Sequence, residues 1–241
     1  MADAKIRLFV DHDLAPGKSV PLGRDQANYL FNVMRLEIGA LILLFNSRDG
    51  EYLAEVADAG KRRGMLSVQA QTKPLQMPPD LWLLFAPIKK ARTDFIVEKG
   101  AEMGAARICP VGTRFTNSDR VRQDKLQAHA MEAAEQCGGT YVPEVAELTK
   151  LDAMLDAWPD DRQLMFCDET RVGPAETLEL AKPGKWAILI GPEGGFSPQE
   201  RDRLNAMAQT TPISLGPRIL RADTAAVAAL TLWQSALGDW T

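Results

Sequence analysis

A chain of 241 residues can bury a sizeable core as one large domain or two smaller ones. Its 46% hydrophobic and 25% charged residues exclude a low-complexity, collagenous or wholly disordered chain. The net charge of −4 is uneven: residues 1–125 carry 19 Lys and Arg against 15 Asp and Glu, and the remainder 9 against 17. A first half that faces a polyanion would produce this asymmetry, and so would chance clustering on solvated faces.

Residues 6–10, 40–45, 52–56 and 65–69 read as short strands separated by turns. Asp49-Gly50 suits a tight hairpin, and one helix is expected over 24–35. Pro16-Gly17-Lys18-Ser19 ends like a phosphate-binding loop, but His12 stands where glycine is needed, so a surface turn is expected. Strands at this spacing make a small barrel or sandwich over residues 1–72. Pro74, Pro78 and Pro79 fix φ and remove donors, which predicts a linker over 73–79.

From Leu81 onward the pattern changes to strand–helix alternation, which predicts an α/β domain over 80–241 with a largely parallel sheet. Strands are expected at 81–86, 107–111, 163–167 and 186–190, with helices at 92–103 and 118–137. Leu126, Ala130, Ala133, Ala134 and Cys137 share one face of the second helix, which Gly138-Gly139 stops. Thr149 and Asp152 have capping-box spacing and start another helix. Ser197-Pro198-Gln199-Glu200 combines an N-cap, Pro at N1 and Glu at N3, so a helix follows it directly. The last helix, 223–237, is apolar nearly all round, which predicts burial in the core or against another subunit.

Cys109, Cys137 and Cys167 are odd in number and far apart, and with only His12 and His129 beside them no metal site is expected. They read as reduced, buried thiols of a cytoplasmic protein. No apolar h-region opens the chain and its apolar runs are too short to span a bilayer, so no membrane association is expected. No G-x-G-x-x-G follows a strand, and no G-x-S-x-G elbow or Cys/His pair supports acyl transfer.

Two segments carry the chemistry: Leu189 to Glu200, LIGPEGGFSPQE, and Leu215 to Ala226, LGPRILRADTAA. Each reads as an apolar strand running through a Gly/Pro turn into a helix, with backbone N–H groups left free at the turn. Joints at the carboxyl ends of neighbouring strands are where open α/β sheets bind ligands. Turns require Gly and Pro but not Arg218, Arg221, Asp223 and Thr224 crowded together; those groups suit a polar ligand and an anionic substrate.

The paired motifs resemble the signature of the 16S rRNA (uracil-N3)-methyltransferase family, within the SPOUT superfamily of knotted methyltransferases. Supporting segments are Ile6 to Val10, Lys89-Lys90-Ala91-Arg92, Glu98 to Gly104, and Glu132 to Gly138 followed by Val142-Pro143. Two departures stand out: Gly139 where the family usually has Arg, and Asp223 where it usually has Glu.

The resemblance implies a PUA-like β-barrel that binds RNA, then a SPOUT parallel sheet with a C-terminal deep trefoil knot, a rare exception to the rule against threading. It implies S-adenosylmethionine held by loops around 166–169, 191–195 and 215–225, with Cys167, Gly191, Pro192, Glu193, Gly195, Leu215, Gly216, Ile219, Leu220, Thr224 and Ala225 as contacts. Arg221 would stabilise charge on the uracil oxygens, while Asp223 or Glu193 accepts the N3 proton or holds Arg221. Arg7, Arg35, Lys89, Arg92 and Arg114 are the RNA-binding candidates, and the basic runs Lys61-Arg62-Arg63, Lys90, Arg120 and Arg122 could add phosphate contacts. The implied partners are 16S rRNA within the small ribosomal subunit and a second copy of the chain. A methyltransferase acting elsewhere, such as on a tRNA ribose 2′-OH, and a non-catalytic RNA-binding protein of the same fold remain alternatives.

Overall fold

Alternation of buried and open side chains along the first third of the chain folds it into a five-stranded sheet over a single core. The computed structural model describes residues 4–60, 62–118, 120–168, 178 and 181–240. The chain divides into two compact units, Met1–Met77 with Ala134–Val142, and Pro78–Ala133 with Pro143–Thr241.

The strands of the first unit are β1 (Arg7–Phe9), β2 (Ser19–Leu22), β3 (Leu41–Phe45), β4 (Glu51–Ala59) and β5 (Gly64–Lys73), in the order β1-β3-β4-β5-β2. Among the described residues of this unit, β1 pairs parallel with β3 and the other pairings are antiparallel. The expected Asp-Gly hairpin joins β3 to β4, with Gly50 at φ +89°. The Pro16-Gly17 segment is a turn: Lys18 N–H donates to Ala15 C=O, and Gly17 sits at φ +83° between them. Strand β2 was not legible in the sequence because Pro21 interrupts it; an edge position makes that proline tolerable.

The helix expected over 24–35 is one α-turn, α1 (Arg24–Ala27), followed by π-helix over Asn28–Val33. Met34 N–H donates to Tyr29 C=O, and Arg35, at φ 57°, ends the element.

The second unit is an all-parallel sheet in the order β12-β10-β11-β6-β7-β8, with β9 also on β7. Its strands are β6 (Leu81–Phe85), β7 (Arg107–Gly112), β8 (Glu144–Val145), β9 (Thr149–Lys150), β10 (Arg162–Cys167), β11 (Lys185–Ile190) and β12 (Thr210–Ile213). Its helices are α2 (Lys90–Glu102), α4 (Leu151–Asp156), α5 (Pro198–Ala206) and α6 (Ala222–Leu237), together with α3 (Gln123–Cys137) up to Ala133, the last turn of α3 from Ala134 belonging to the first unit. The central strands β6, β10 and β11 are almost wholly buried, as a sheet covered on both faces requires.

Two expectations are corrected, and a third concerns the last helix. Thr149 does not cap α4; it lies in β9, its hydroxyl donates to Glu147 C=O, and Lys150 is the N-cap. Cys137, at the end of α3 beside Gly138 (φ +81°), is exposed rather than buried. Helix α6 buries one face through Ala222, Ala226, Ala229, Leu230, Trp233 and Gln234, while Val227, Ala228 and Leu232 remain half-buried.

The other two thiols lie in the core. Burial pushes Cys109 up to about 11 and Cys167 up to about 12, so neither ionises at neutral pH. The unfolded chain would ionise both near pH 9, so their contribution to stability is complete below that value and is lost as pH rises toward 11–12. Urea unfolding should therefore show stability falling across that alkaline window. Iodoacetamide applied to the native protein near neutral pH should add one adduct, at Cys137; a native adduct at Cys167 would contradict this placement.

Candidate active site

Strand β11 delivers the chain into Gly191-Pro192-Glu193-Gly194-Gly195, and packing explains the glycines. A Cβ at Gly191 would lie 2.6 Å from the ring of Phe196, which is 2% exposed and set edge-on to Phe166 at 5.0 Å. Gly195 adopts φ +67°, closed by its N–H donating to Pro192 C=O at 2.9 Å. The expected capping box then forms: Glu200 N–H donates to Ser197 Oγ, and Ser197 N–H donates to Glu200 Oε2.

Glu200 has a second task that spacing did not reveal. Its Oε1 accepts the N–H of Arg114 at 2.7 Å, which ties the loop after β7 to the start of α5.

The two joints are not on adjacent strands, because β10 lies between β11 and β12. All three carboxyl ends instead converge on one pocket. It is lined by Cys167 and Asp168 after β10, by residues 190–195 after β11, and by Leu215, Gly216, Arg218, Ile219, Leu220, Ala222 and Ala225 after β12. Ten of the anticipated cofactor contacts therefore meet here: Cys167, Gly191, Pro192, Glu193, Gly195, Leu215, Gly216, Ile219, Leu220 and Ala225. Thr224 does not line the pocket; it is exposed, and its N–H donates to Asp223 Oδ1. Glu169 lies outside the described residues.

Much of the lining is backbone and apolar side chain. Among the described residues none hydrogen-bonds the N–H groups of Glu193, Gly194, Ile219 or Leu220. Ile219 is 85% exposed at the rim, an apolar surface that the described residues leave open. Asp168, buried at the end of β10, is paired with Arg201 of α5 at 3.5 Å, a partner no local motif could indicate.

The charged groups pair differently from expectation. Arg92 of α2, anticipated as a phosphate contact, lies between Glu193 at 3.6 Å and Asp223 at 3.7 Å. These half-open pairs contribute little stability, about 0–1 kcal/mol each, so their importance is geometric. They tie the β11 loop and the first turn of α6 to α2. Arg221, expected to be held by Asp223 or Glu193, is the N-cap residue of α6, exposed and without an ion pair among the described residues.

The remaining basic candidates separate by environment. Lys89, at the N-cap of α2, and Arg114 are exposed in the second unit, and Arg35 is exposed in the first. Lys90 and Arg122 are engaged by Asp94 and Asp124, while Arg62, Arg63 and Arg120 are exposed; Lys61 lies outside the described residues.

Arg7 is a correction. Its side chain is 11% exposed, with Nε on Glu51, Nη1 on the carbonyls of Ala134 and Glu135, and Nη2 on the carbonyl of Gly139. It caps the end of α3 rather than reaching for a phosphate. The same contact bears on Gly139, whose carbonyl rather than its missing side chain is used. A Cβ there would meet Cys137 Sγ at an ordinary 3.5 Å.

An RNA methyltransferase domain family matches residues 75–234, and an RNA methyltransferase PUA domain matches residues 22–64. Ribosomal RNA small subunit methyltransferase E of Rickettsia conorii is 28% identical over 228 residues, 93% of each chain. The protein of the same name from Bacillus subtilis is 26% identical over 86% of each. Ribosomal RNA small subunit methyltransferase E of Neisseria gonorrhoeae, solved bound to S-adenosyl methionine, superposes with a TM-score of 0.87 at 27% identity, covering 98% of this chain and 99% of that one. A Legionella pneumophila methyltransferase solved with its cofactor SAM gives 0.86 at 27% identity, covering 97% and 98%.

Proposed function

The chain belongs to the RNA methyltransferase family, and from that premise we propose that it methylates N3 of a uridine in 16S rRNA of the small ribosomal subunit, using S-adenosylmethionine. The observation that carries this reading is the pocket shared by the ends of β10, β11 and β12. The chain also matches, over nearly its whole length, rRNA methyltransferases solved with that cofactor.

The donor set fits such a cofactor. Apolar walls from Leu215, Ile219, Leu220 and Ala225 suit an adenine ring and a methylene chain, and the free N–H groups of both loops suit its polar atoms. A carbon at Gly216 would meet nothing within 4 Å, so that side of the pocket has room. When bound, S-adenosylmethionine supplies an electrophilic methyl group.

The chain's own residues must then prepare the uridine. N3 is a poor nucleophile while it carries its proton. Asp223 and Glu193, aligned by Arg92, are the carboxylates available to receive that proton. Arg221, without a carboxylate partner among the described residues, supplies positive charge for the uracil oxygens as the proton leaves. Because Arg92 already spans the two carboxylates, it acts as a positioning residue in this scheme.

The reading includes a C-terminal trefoil knot through the three loops, a homodimer and a cytoplasmic location beside the ribosome. Half-buried Val227, Ala228 and Leu232 on α6 suit a second copy of the chain, and no helix among the described residues is long and apolar enough to cross a membrane. Mass-spectrometric mapping of small-subunit rRNA from a deletion strain should reveal one unmethylated uridine N3, restored by complementation. An unchanged map would overturn the assignment.

A further inference from the structure

A second concavity is built from the loop after β7 and the start of α5, and the proposed chemistry does not use it. It is lined by the loop after β7 (Gly112 to Thr116, with Ser118), by Leu148, Lys150 and Asp152, and by Ser197 to Glu200 with Arg203. Its acidic groups are already spent. Asp152 is paired with Arg203, and both oxygens of Glu200 accept backbone N–H groups. Its cations are not: Arg114 and Lys150 are exposed and make no ion pair among the described residues.

At the border with the cofactor pocket stands Phe115, 43% exposed. It packs against Gly194, where an added Cβ would lie 3.2 Å from Phe115 Cβ, and Gly194 follows Glu193 directly. The loop that presents this ring is held in place. Arg114 N–H is bonded to Glu200, Thr113 N–H donates to Thr116 Oγ1 at 2.8 Å, and the two threonine hydroxyls meet at 2.9 Å. A rigid, half-exposed aromatic ring flanked by two free cations is the arrangement that takes a single-stranded nucleotide: the base stacks and the cations meet phosphates.

We propose that this groove is a nucleotide subsite, in which Phe115 stacks on a base of single-stranded RNA flanking the reactive uridine while Arg114 and Lys150 hold its phosphates. This rests on the methyltransferase reading for which nucleotide is reactive, but not for the binding itself. The groove sets which RNA strand can thread past Glu193, so its residues act on substrate affinity and not on the cofactor.

The test compares full-length protein with Phe115→Ala, Phe115→Trp and the double variant Arg114→Ala/Lys150→Ala. Affinity for a fluorescently labelled, uridine-containing single-stranded oligoribonucleotide is read by anisotropy across a salt series, and S-adenosylmethionine affinity by calorimetry. Phe115→Ala should bind the RNA about tenfold more weakly, as loss of one stacked base does, with Phe115→Trp within about twofold of the parent. The double variant should lower the magnitude of the salt slope by about 1.4, the share of two phosphates on a single strand. Cofactor affinity should stay within about twofold throughout. Parental RNA affinity in Phe115→Ala, or a parental salt slope in the double variant, overturns the subsite. Should Phe115→Ala fail to fold, the exposed double variant decides alone. A parent that methylates no rRNA defeats the functional reading separately, and the anisotropy comparison still decides the groove.

Discussion

Alanine in place of Arg221 should lower kcat for rRNA methylation by about 10²–10³-fold, the usual cost of removing one preorganised donor from developing negative charge. Arg221 terminates the loop after β12, begins α6 and carries no carboxylate partner among the described residues. Its charge is therefore available to substrate instead of being neutralised in advance. Lysine at the position should recover part of the loss, because charge is kept while the planar fork is not. Cofactor affinity should change little, since Arg221 does not line the pocket. Single-turnover transfer to 16S rRNA, with calorimetry for the cofactor, checks both halves. An unchanged kcat in Arg221→Ala would overturn the charge role of Arg221 and leave Arg92, the cation that meets Glu193 and Asp223, as the next to test.

Alanine at Gly191 should destabilise the second unit through a single added methyl. The new carbon would sit 2.6 Å from Phe196 Cε2 and 3.0 Å from Cζ. That ring cannot swing aside, because it is buried edge-on against Phe166, itself fully buried on β10. The overpacking should cost about 1–3 kcal/mol, which lowers Tm by roughly 2–4 °C per kcal/mol for a chain of this size. The displaced loop should also weaken cofactor binding, since Gly191 and Ile190 line the pocket. Alanine at Gly139 is the contrasting control: its nearest neighbour would be at 3.5 Å, and stability should stay within about 0.5 kcal/mol. Thermal unfolding of both variants tests the pair. A Gly191→Ala protein with the parental Tm would mean that the loop relaxes freely.

Local chemistry was enough to read the elements around the site. Ser197, Pro198 and Glu200 encode a helix start within four residues, and the capping box forms as the spacing requires. The central strands announce themselves as short apolar runs, because a parallel sheet covered on both faces leaves no polar alternation. Where local signals were weak the reading erred. Pro21 hid the edge strand β2, and Thr149 with Asp152 imitated a capping box on a segment that β7 had already recruited.

The partners of charged groups were the least legible part of the site. Arg92 looked like one of several surface cations and proves to span two loops, while Arg7 proves to cap the end of a helix far away in sequence. The bond from Arg114 N–H to Glu200 Oε1 and the pairing of Asp168 with Arg201 were equally invisible. Each such contact joins residues brought together by strand order, and spacing along a chain carries no record of that order.

From its sequence alone this chain determined the pocket-forming turns, since glycines, prolines and caps act within a few residues through backbone geometry. Which turns share a pocket and which carboxylates an arginine holds were decided only by the order of the strands, with β10 between β11 and β12. Those are long-range outcomes of burying one continuous sheet.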